Sequence, residues 1–237
     1  MPVYALPETP WFPPSAHAEP DGLAAIGGHL TTDWLTLAYS RGFFPWFQDP
    51  DPILWWTPDP RYLLFPPEVK VSSSMRQVFR KNLFTVTADH AFETVMRQCG
   101  LTPRPGQDDT WVSEDMVEAY VTLHQQGKAH SIEVWQENEL VGGLYGVTLG
   151  RAFFGESMFS LRSNASKTGL IALCRHLTSE HFPFVDCQVG TEHLESMGAR
   201  PVKRSFFEEK LQIAICEKST PDSWRDWFPA GNQLLYP

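Results

Sequence analysis

Three consecutive strand-like stretches in the second half of the chain place the strongest constraint on the fold. Residues 131–135 alternate polar and apolar side chains, residues 139–148 are apolar and rich in glycine, and residues 151–156 form a short aromatic run. The connections between them are short, and Asn138 and Gly150 supply residues that suit tight turns. Neighbouring strands joined by tight turns run antiparallel, so the sequence predicts an antiparallel meander.

Further helices and strands are predicted before and after this meander. Apolar positions recur at helical spacing in four stretches, and short apolar runs indicate three more strands. The helices are expected at residues 72–80, 92–99, 116–123 and 165–180, with a helical turn at 192–197, and the strands at 62–65, 184–188 and 211–216. This order predicts an α+β fold with a mostly antiparallel central sheet.

The first sixty residues differ in character from the rest of the chain. Nine of the 20 prolines fall within residues 2–52, which is typical of irregular, turn-rich backbone. One helix is expected there, within residues 31–42. We therefore predict two domains, a small one of residues 1–62 and a larger one of residues 63–237.

Composition narrows the class of protein. A chain of 237 residues with 42% hydrophobic content can bury a substantial core. The N-terminus lacks the basic start and apolar stretch of a secretion signal, and no run of about 18 apolar residues occurs that could span a membrane. We expect a cytoplasmic protein that makes no membrane contact.

The cysteines and histidines form no recognisable metal motif. The cysteines are Cys99, Cys174, Cys187 and Cys216, and none of them belongs to a C-x-x-C pair. The paired histidines also lack the i, i+4 spacing of metalloprotease helices. We expect reduced thiols and no bound metal.

The charge balance limits how this chain can contact nucleic acid. Its 28 acidic and 19 basic side chains give a formal charge of -9, which opposes attraction to nucleic acid over the whole surface. Any RNA contact must then be local. The candidates for a basic patch are Arg41, Arg61, Arg76, Arg80, Lys81, Arg162 and Lys167. On charge alone, a solvated basic face explains them equally well.

The stretch Gly155-Glu156-Ser157-Met158-Phe159-Ser160 is the first candidate for a reaction centre. Glu156 follows apolar strand residues, so its carboxylate either enters a pocket or forms a simple salt bridge. Ser157 invites comparison with the nucleophile of a G-x-S-x-G elbow, but the second glycine of that strained turn is missing. A covalent serine mechanism is therefore disfavoured.

Asp186 and Gln188 form the second candidate. Strand alternation places both on one face, with Val185 and Cys187 on the other. An isolated aspartate in a strand needs a partner, and a buried structural hydrogen bond is the alternative to a chemical role. Residues 142–150 are rich in glycine but contain neither G-x-G-x-x-G nor a Walker lysine, so no nucleotide cofactor is indicated.

Several tryptophans flank segments that are rich in glycine and proline. They are Trp46, Trp55, Trp56 and Trp111. An indole ring in such a segment can stack on a nucleobase, although most tryptophans anchor a core instead.

Ten short motifs, in order along almost the whole chain, resemble those of the bacterial leucyl/phenylalanyl-tRNA-protein transferases. They are Pro20-Asp21-Gly22-Leu23, Gly27-Gly28-His29-Leu30, Ala38-Tyr39, Arg41-Gly42-Phe43-Phe44-Pro45-Trp46-Phe47, Trp55-Trp56-Thr57-Pro58-Asp59-Pro60-Arg61, His130-Ser131-Ile132-Glu133-Val134-Trp135, Val141-Gly142-Gly143-Leu144-Tyr145-Gly146, Phe154-Gly155-Glu156-Ser157-Met158-Phe159-Ser160, Ala165-Ser166-Lys167 and Asp186-Cys187-Gln188. Departures from the family pattern are His29, Thr57 and the tail beyond Arg204.

The resemblance implies a GNAT-like acyltransferase fold with a small N-terminal domain. It also implies transfer of Leu, Phe or Met from aminoacyl-tRNA to proteins that begin with Arg or Lys, which marks them for proteolysis as N-degron substrates. The tRNA would be contacted at its acceptor end. No cofactor is required, because the aminoacyl ester is already activated.

The resemblance further implies roles for single residues. Asp186 and Gln188 would orient the attacking amine, and Glu156 would hold the ammonium group of either the donor amino acid or the acceptor peptide. An apolar slot for the donor side chain would be formed by Phe153, Met158, Leu170 and Val185. Trp46 and Trp111 would stack on the terminal adenosine of the tRNA.

Two other classes remain compatible with the residues. An acetyl-CoA-dependent acetyltransferase could share the fold, but Gly150-Arg151-Ala152 does not supply the phosphate-binding turn that it needs. A non-enzymatic adaptor for N-terminal Arg or Lys would need an acidic pocket, and Asp186 and Gln188 would then matter for no turnover.

Overall fold

A computed structural model describes residues 3–48, 50–101, 113–229 and 233–235. It contains helices and strands in the mixed order that the sequence predicts, and most strand pairs are antiparallel. The predicted α+β class is confirmed. Within these residues, no helix is long and apolar enough to cross a lipid bilayer.

A small sheet forms in the proline-rich region. Its strands are β1 (Tyr4–Ala5), β2 (Leu23–Ile26), β3 (Phe44–Pro45) and β4 (Leu54–Trp56), in the order β1-β2-β4-β3, and helix α1 (Thr32–Ser40) connects β2 to β3. The buried Phe12 ring packs edge to face against two others in its core, with its centroid 4.9 Å from that of Trp55 and 5.7 Å from that of Trp34. Aromatic packing therefore stabilises a segment that has little regular structure.

A larger sheet of seven strands begins with β5 (Arg61–Leu64). Its other strands are β6 (Thr85–Ala88), β7 (Ala129–Gln136), β8 (Glu139–Leu149), β9 (Ala152–Ser160), β10 (Phe184–Gln188) and β11 (Arg200–Val202), and the order is β11-β5-β10-β9-β8-β7-β6. The predicted boundary between residues 1–62 and 63–237 falls inside β5.

Helices cover both faces of this sheet. They are α2 (Ser73–Arg80), α3 (Phe92–Leu101), α4 (Glu114–Gln125), α5 (Ala165–Ser179), α6 (Glu192–Ser196) and α7 (Arg204–Ala214). Buried residues of α1, α3, α4 and α7 join one hydrophobic core, whereas those of α2 and α5 join a second core on the opposite face. We call these the α4 face and the α5 face.

Strands β7, β8 and β9 form the predicted antiparallel meander. Glu137 and Asn138 both have positive φ, +51° and +68°, which is the pattern of a type I′ hairpin turn. Gly150, with φ +56°, turns β8 into β9. A β-carbon on Gly150 would lie 2.4 Å from the carbonyl oxygen of Ala214, so glycine is required there for space as well as for conformation.

The strand predicted at residues 211–216 is wrong, because α7 continues through Ala214. The run is apolar except for Gln212 and contains two β-branched isoleucines, which imitates a strand. The buried positions are Phe207, Leu211 and Ala214, whose spacing of four and three is that of a helix. Ile213, which suggested the strand, is 57% exposed.

Candidate active site

Two neighbouring strands part in the middle of the larger sheet. Strands β9 and β10 are parallel and pair over only three residues each, ending at Phe154 and Asp186. Strand β9 nevertheless continues to Ser160, further than the sequence predicts. A β-carbon placed on Gly155 would find its nearest atoms at 3.5 Å, the carbonyl oxygen of Asp186, and at 3.7 Å, Cγ1 of Val185. The pairing between the two strands therefore ends at Gly155, and we call this place, where they part, the opening.

A β-bulge on β9 borders this opening. Adjacent residues of β8 pair with Gly155 and Ser157, so Glu156 is the extra residue. A bulge re-aims the side chain of the extra residue and is common next to active sites. Here it brings Glu156 to the α4 face.

A second bulge lies on β10. Its register against β5 shifts between Asp186 and Gln188, and Gln188 adopts φ +62°. The N–H of Val189 donates to the carbonyl of Cys187 at 2.7 Å, so Gln188 is the central residue of a γ-turn. Strained backbone of this kind is concentrated at functional sites. The turn directs Gln188 towards Glu156.

The carboxylate of Glu156 accepts hydrogen bonds from two elements that are distant in sequence. Nε2 of Gln188 donates to Oε1 at 2.8 Å, and the hydroxyl of Tyr120 donates to Oε2 at 3.1 Å. The hydroxyl of Tyr39 lies 2.5 Å from that of Tyr120. Both tyrosines are fully buried, whereas Glu156 itself retains some exposure to solvent.

This environment raises the pKa of Glu156 to about 7. Burial of the carboxylate is the largest cause, and the negative charge of Asp186 adds to it. The hydroxyl groups of Tyr39 and Tyr120 and the amide of Gln188 act in the opposite direction, because they favour the ionised form. Glu156 can therefore take up or release a proton close to neutral pH.

Asp186 has a different environment. Nε and Nη2 of Arg61 donate to its two oxygens at 2.8 and 2.6 Å, and both side chains are fully buried. The backbone N–H of Gln188 donates to Oδ1 at 2.9 Å. The Arg61 guanidinium lies between two rings, 4.8 Å from the Phe44 centroid and 4.6 Å from that of Phe207. A bidentate, sandwiched pair of this kind is geometrically well defined.

The role of Asp186 in orienting the attacking amine stays a prediction, and in this arrangement it would be exerted through Gln188. Both carboxylate oxygens already have protein donors, and the residue has no exposed surface. The alternation argument did place Asp186 and Gln188 towards the same face. What it could not supply was Arg61, which lies 125 residues away in sequence.

The four residues predicted to line an apolar slot do lie together, on the α5 face. Phe153, Leu170 and Val185 are buried in one core cluster, and half-buried Met158 packs against it. Because Glu156 lies on the α4 face, the charged and the apolar groups lie on opposite faces of the sheet, on either side of the place where β9 and β10 part.

The tryptophans considered for base stacking differ in their exposure to solvent. Trp46 is 41% exposed, and its carbonyl accepts a hydrogen bond from the indole of Trp56 at 2.6 Å. Trp55 is a core residue whose indole donates to the carbonyl of Gly27 at 2.8 Å. Trp111 lies outside the described residues.

The candidate residues for a basic patch also differ in their exposure to solvent. Arg76, Arg80 and Lys81 are exposed on and just after α2, whose buried face carries Met75 and Phe79. Other exposed or half-buried candidates are Arg41, Arg162 and Lys167. Arg61 is fully buried, so its predicted contribution to an RNA-binding patch is wrong.

Asp89, His124 and His130 bring potential metal-ligand atoms within 4.8 Å of one another. Protein groups already use these atoms. Asp89 accepts from Nδ1 of His130 at 2.9 Å and from the backbone N–H of Trp224 at 2.7 Å, while Nδ1 of His124 lies 2.8 Å from a backbone carbonyl. The His130 and Trp224 rings stack 4.2 Å apart. The cluster therefore fastens the C-terminal segment to the sheet.

Sequence reasoning missed Tyr39 and Tyr120. Each occupies a buried position of an amphipathic helix, α1 or α4, where an aromatic residue is normally core packing. Their hydroxyls meet across 81 residues of sequence. The only sequence signal was Ala38-Tyr39 among the family-like motifs.

The opening at Gly155 leads to a prediction. The variant Gly155→Ala should fold, with its unfolding free energy changed by less than about 1 kcal/mol, because the added methyl group meets only ordinary contacts. It should nevertheless lower catalytic turnover at least about tenfold, because the added methyl group lies where the strands part, next to Glu156. Gly146, its partner on β8, is the contrast, because a β-carbon there would lie 2.2 Å from the carbonyl of Phe154 and should prevent stable folding. Full turnover by Gly155→Ala would show that the opening is not used.

Comparison with known proteins identifies relatives along nearly the whole chain. The family model for leucyl/phenylalanyl-tRNA protein transferase matches residues 63–212, and the model for the N-terminal domain of that family matches residues 28–59. A leucyl/phenylalanyl-tRNA–protein transferase of Syntrophobacter fumaroxidans is 53% identical over 224 residues, which cover 94% of this chain and 96% of the relative. One from Hydrogenovibrio crunogenus is 51% identical over 221 residues, covering 91% and 86%.

Solved structures show weaker likenesses. The structure of L-PGS from Bacillus licheniformis has a TM-score of 0.40 at 11% identity, with 79% of this chain and 63% of that chain covered. A GCN5-related N-acetyltransferase-like protein from Streptococcus suis has a TM-score of 0.31 at 14% identity, with 73% and 66% covered.

Proposed function

This chain belongs to the leucyl/phenylalanyl-tRNA protein transferase family and is thus an aminoacyl-tRNA–protein transferase; from this we propose that its acceptors are proteins whose N-terminal residue is Arg or Lys. The transferred residue is Leu, Phe or Met. The product carries a destabilising N-terminus and is marked for N-degron proteolysis. We place the reaction in the cytoplasm, where aminoacyl-tRNA is available.

One observation carries the proposal: a carboxylate and an amide meet at an opening in the sheet that has an apolar cluster on its other side. Glu156 and Gln188 are 2.8 Å apart at this opening. Aminolysis of an ester that is already activated needs positioning of the amine and removal of one proton, and it needs no cofactor. An amine can be held against these two side chains, accepted by the carbonyl oxygen of Gln188 and the carboxylate of Glu156.

In this arrangement Gln188 and Glu156 contact the attacking amine directly. Because Nε2 of Gln188 donates to Glu156, its carbonyl oxygen is the atom that can accept a hydrogen bond from the amine. Asp186 acts indirectly, by binding the backbone N–H of Gln188 and by adding negative charge near Glu156. Arg61 holds Asp186 in place.

The donor side chain enters the cluster on the α5 face. Phe153, Leu170 and Val185 form a buried apolar environment with half-buried Met158 at its edge, which suits Leu, Phe and Met. Met158 is half-buried, and its flexible thioether can adapt to side chains of different shape. A residue branched at Cβ would be wider at the level of Gly155.

The acceptor binds through its positive charge. Helix α6 begins four residues after Gln188 and carries Glu192 and Glu195 in its first turn. With Glu156, these carboxylates make the exit of β10 acidic, which favours a peptide whose first residue is Arg or Lys over one that begins with an uncharged residue.

The acceptor end of the tRNA lies against the N-terminal domain. Trp46, together with Trp111, stacks on the terminal adenosine, while the exposed cations of α2 contact phosphates. Phe44, two residues before Trp46, packs on Arg61, so this part of the chain lies beside the site.

Removing the Trp46 indole should weaken binding of aminoacyl-tRNA. Loss of one base-stacking contact costs about 1 to 3 kcal/mol, so Trp46→Ala should raise the Kd roughly 5- to 150-fold. Trp11→Ala is the matched control, because Trp11 is 42% exposed in the same region and should leave the Kd unchanged. Equal Kd values for the two variants, measured by filter binding, would remove Trp46 from the tRNA site.

The function itself is tested by label transfer. The protein is incubated with labelled Phe-tRNA or Leu-tRNA and with peptides that begin with Arg, Lys or Ala and are otherwise identical. We expect labelled Arg and Lys peptides and an unlabelled Ala peptide. Equal labelling of all three would overturn the acceptor class, and labelling of none would overturn the proposed acceptors altogether.

A further inference from the structure

We propose that Glu156 is the proton acceptor of the transfer step, and that Tyr39 and Tyr120 are positioning residues that keep its carboxylate ionised and correctly oriented. This inference rests on the proposed function and adds to it a specific acid–base assignment. It also gives α1, a helix of the N-terminal domain, a part in the chemistry.

The first support is the chain of hydroxyl groups. Tyr120 donates its single proton to Glu156 at 3.1 Å, so in the pair of hydroxyls 2.5 Å apart Tyr39 is the donor to Tyr120. Buried phenol groups need such partners. Both rings are fully buried. Their hydroxyl groups, the only polar groups of the two side chains, form a chain that ends at the carboxylate of Glu156.

The second support is that Glu156 is the group in this site that can exchange a proton. Asp186 is bonded to Arg61 through both oxygens, and the amide of Gln188 is not a base near neutral pH. Among the residues that the structure describes, Glu156 alone combines a carboxylate, partial exposure and a position at the opening.

The groups that face Glu156 come from four elements. They are Tyr39 on α1, Tyr120 on α4, Asp186 and Gln188 on β10, and Arg61 on β5 behind Asp186. Burial and Asp186 raise the pKa of Glu156, while the two hydroxyls and the amide lower it, and the balance is about 7. A base is most effective when its pKa lies near the working pH, so both tyrosines are needed to keep Glu156 ionised there.

The reaction balances with these groups alone. The acceptor amine attacks the ester carbonyl carbon, a C–N bond forms, and Glu156 takes one proton from the nitrogen. The bond from that carbon to the terminal ribose oxygen then breaks, and the departing oxygen receives the proton from Glu156. The products are an amide and a ribose hydroxyl, and Glu156 is again a carboxylate.

The pH dependence of kcat tests this assignment. Both substrates are kept saturating, so that ionisation of the free acceptor amine does not determine the profile. Wild-type kcat should rise through an acid limb near pH 7. Tyr39→Phe and Tyr120→Phe each remove a hydroxyl that favours ionised Glu156, so each limb should move upward by roughly one pH unit. The high-pH plateau should stay within a few-fold of wild type.

Tyr4→Phe is the matched control. It also removes a tyrosine hydroxyl with a hydrogen bond, to Nδ1 of His17 at 2.8 Å, but it lies outside the site. Its acid limb should coincide with that of wild type. The inference would be overturned if the acid limbs of kcat for Tyr39→Phe and Tyr120→Phe also coincided with that of wild type, provided that both variants have native circular dichroism.

Failure of this inference can be told apart from failure of the proposed function. If wild type labels an Arg peptide but the limb does not move in the variants, only the acid–base assignment is lost. If one tyrosine variant does not fold, the other still carries the test, because the two hydroxyls act on the same carboxylate.

Discussion

Replacing Arg61 with methionine is expected to destabilise the protein by about 3 to 5 kcal/mol, because Asp186 would be left as a buried charge without its partner. Asp186→Leu should have a similar cost, since it leaves Arg61 unpaired between Phe44 and Phe207. Urea unfolding followed by tryptophan fluorescence measures both values. A cost below about 1 kcal/mol for both variants would contradict the structural role of the pair.

The double variant Arg61→Met with Asp186→Leu separates stability from activity. Apolar residues of similar volume often replace a buried ion pair at little cost, so the unfolding free energy should return to within about 1 kcal/mol of wild type. Transfer should remain strongly reduced, since Gln188 has lost the acceptor of its backbone N–H. Full recovery of transfer would limit Asp186 to a structural role.

Arg97→Met is the control for loss of an arginine. Arg97 pairs with Glu93 and Glu114, but its side chain is 41% exposed. Exposed ion pairs contribute about 0 to 1 kcal/mol, so this variant should be close to wild type in both stability and transfer. The contrast with Arg61 then reflects burial and not the loss of an ion pair as such.

Glu156→Gln should lower kcat by roughly 10²- to 10⁴-fold and remove the acid limb near pH 7, because the amide retains hydrogen bonding but cannot accept the proton. The affinity for aminoacyl-tRNA should change little. If instead Glu156 held the ammonium group of the donor, the loss would occur in the KM for aminoacyl-tRNA. Glu180→Gln, remote from the site and paired with Arg151, is the matched control.

The same variant should change how stability depends on pH. The folded protein raises the pKa of Glu156 from 4.5 to about 7, so folding favours the protonated form. Its favourable contribution is complete below pH 4.5 and is lost as the pH rises to about 7. Relative to Glu156→Gln, wild type should therefore become less stable over this range. Parallel stability curves for the two proteins would contradict the burial of this carboxylate.

Much of the fold could be predicted from the sequence because its signals are local. The meander followed from alternation and turn residues, and α5 followed from helical spacing over fifteen positions. The prediction of a strand at residues 211–216 was wrong for the same reason, because it used only local signals. The apolar residues that follow Leu211 imitate a strand, and only packing against the sheet shows that burial follows the helical spacing of Phe207 and Leu211.

The sequence was enough to locate the candidate site but not to predict which residues contact one another in it. Glu156 and Gln188 were identifiable as polar residues in apolar strands. Their partners were not, because Arg61 and Tyr120 come from distant segments and look like a surface cation and a core aromatic residue. Two bulges added a further difficulty, since the sequence does not reveal the local shifts of register beside Glu156 and Gln188.

The stack of Phe44, Arg61 and Phe207 has a consequence for folding cooperativity. One guanidinium contacts a ring from the N-terminal region and a ring from α7, while it is bonded to a strand in the middle of the larger sheet. Local unfolding of any one of the three parts exposes a charge that the other two have buried. The two sheets should therefore unfold as one unit, and the proline-rich region is not a removable appendage of the enzyme.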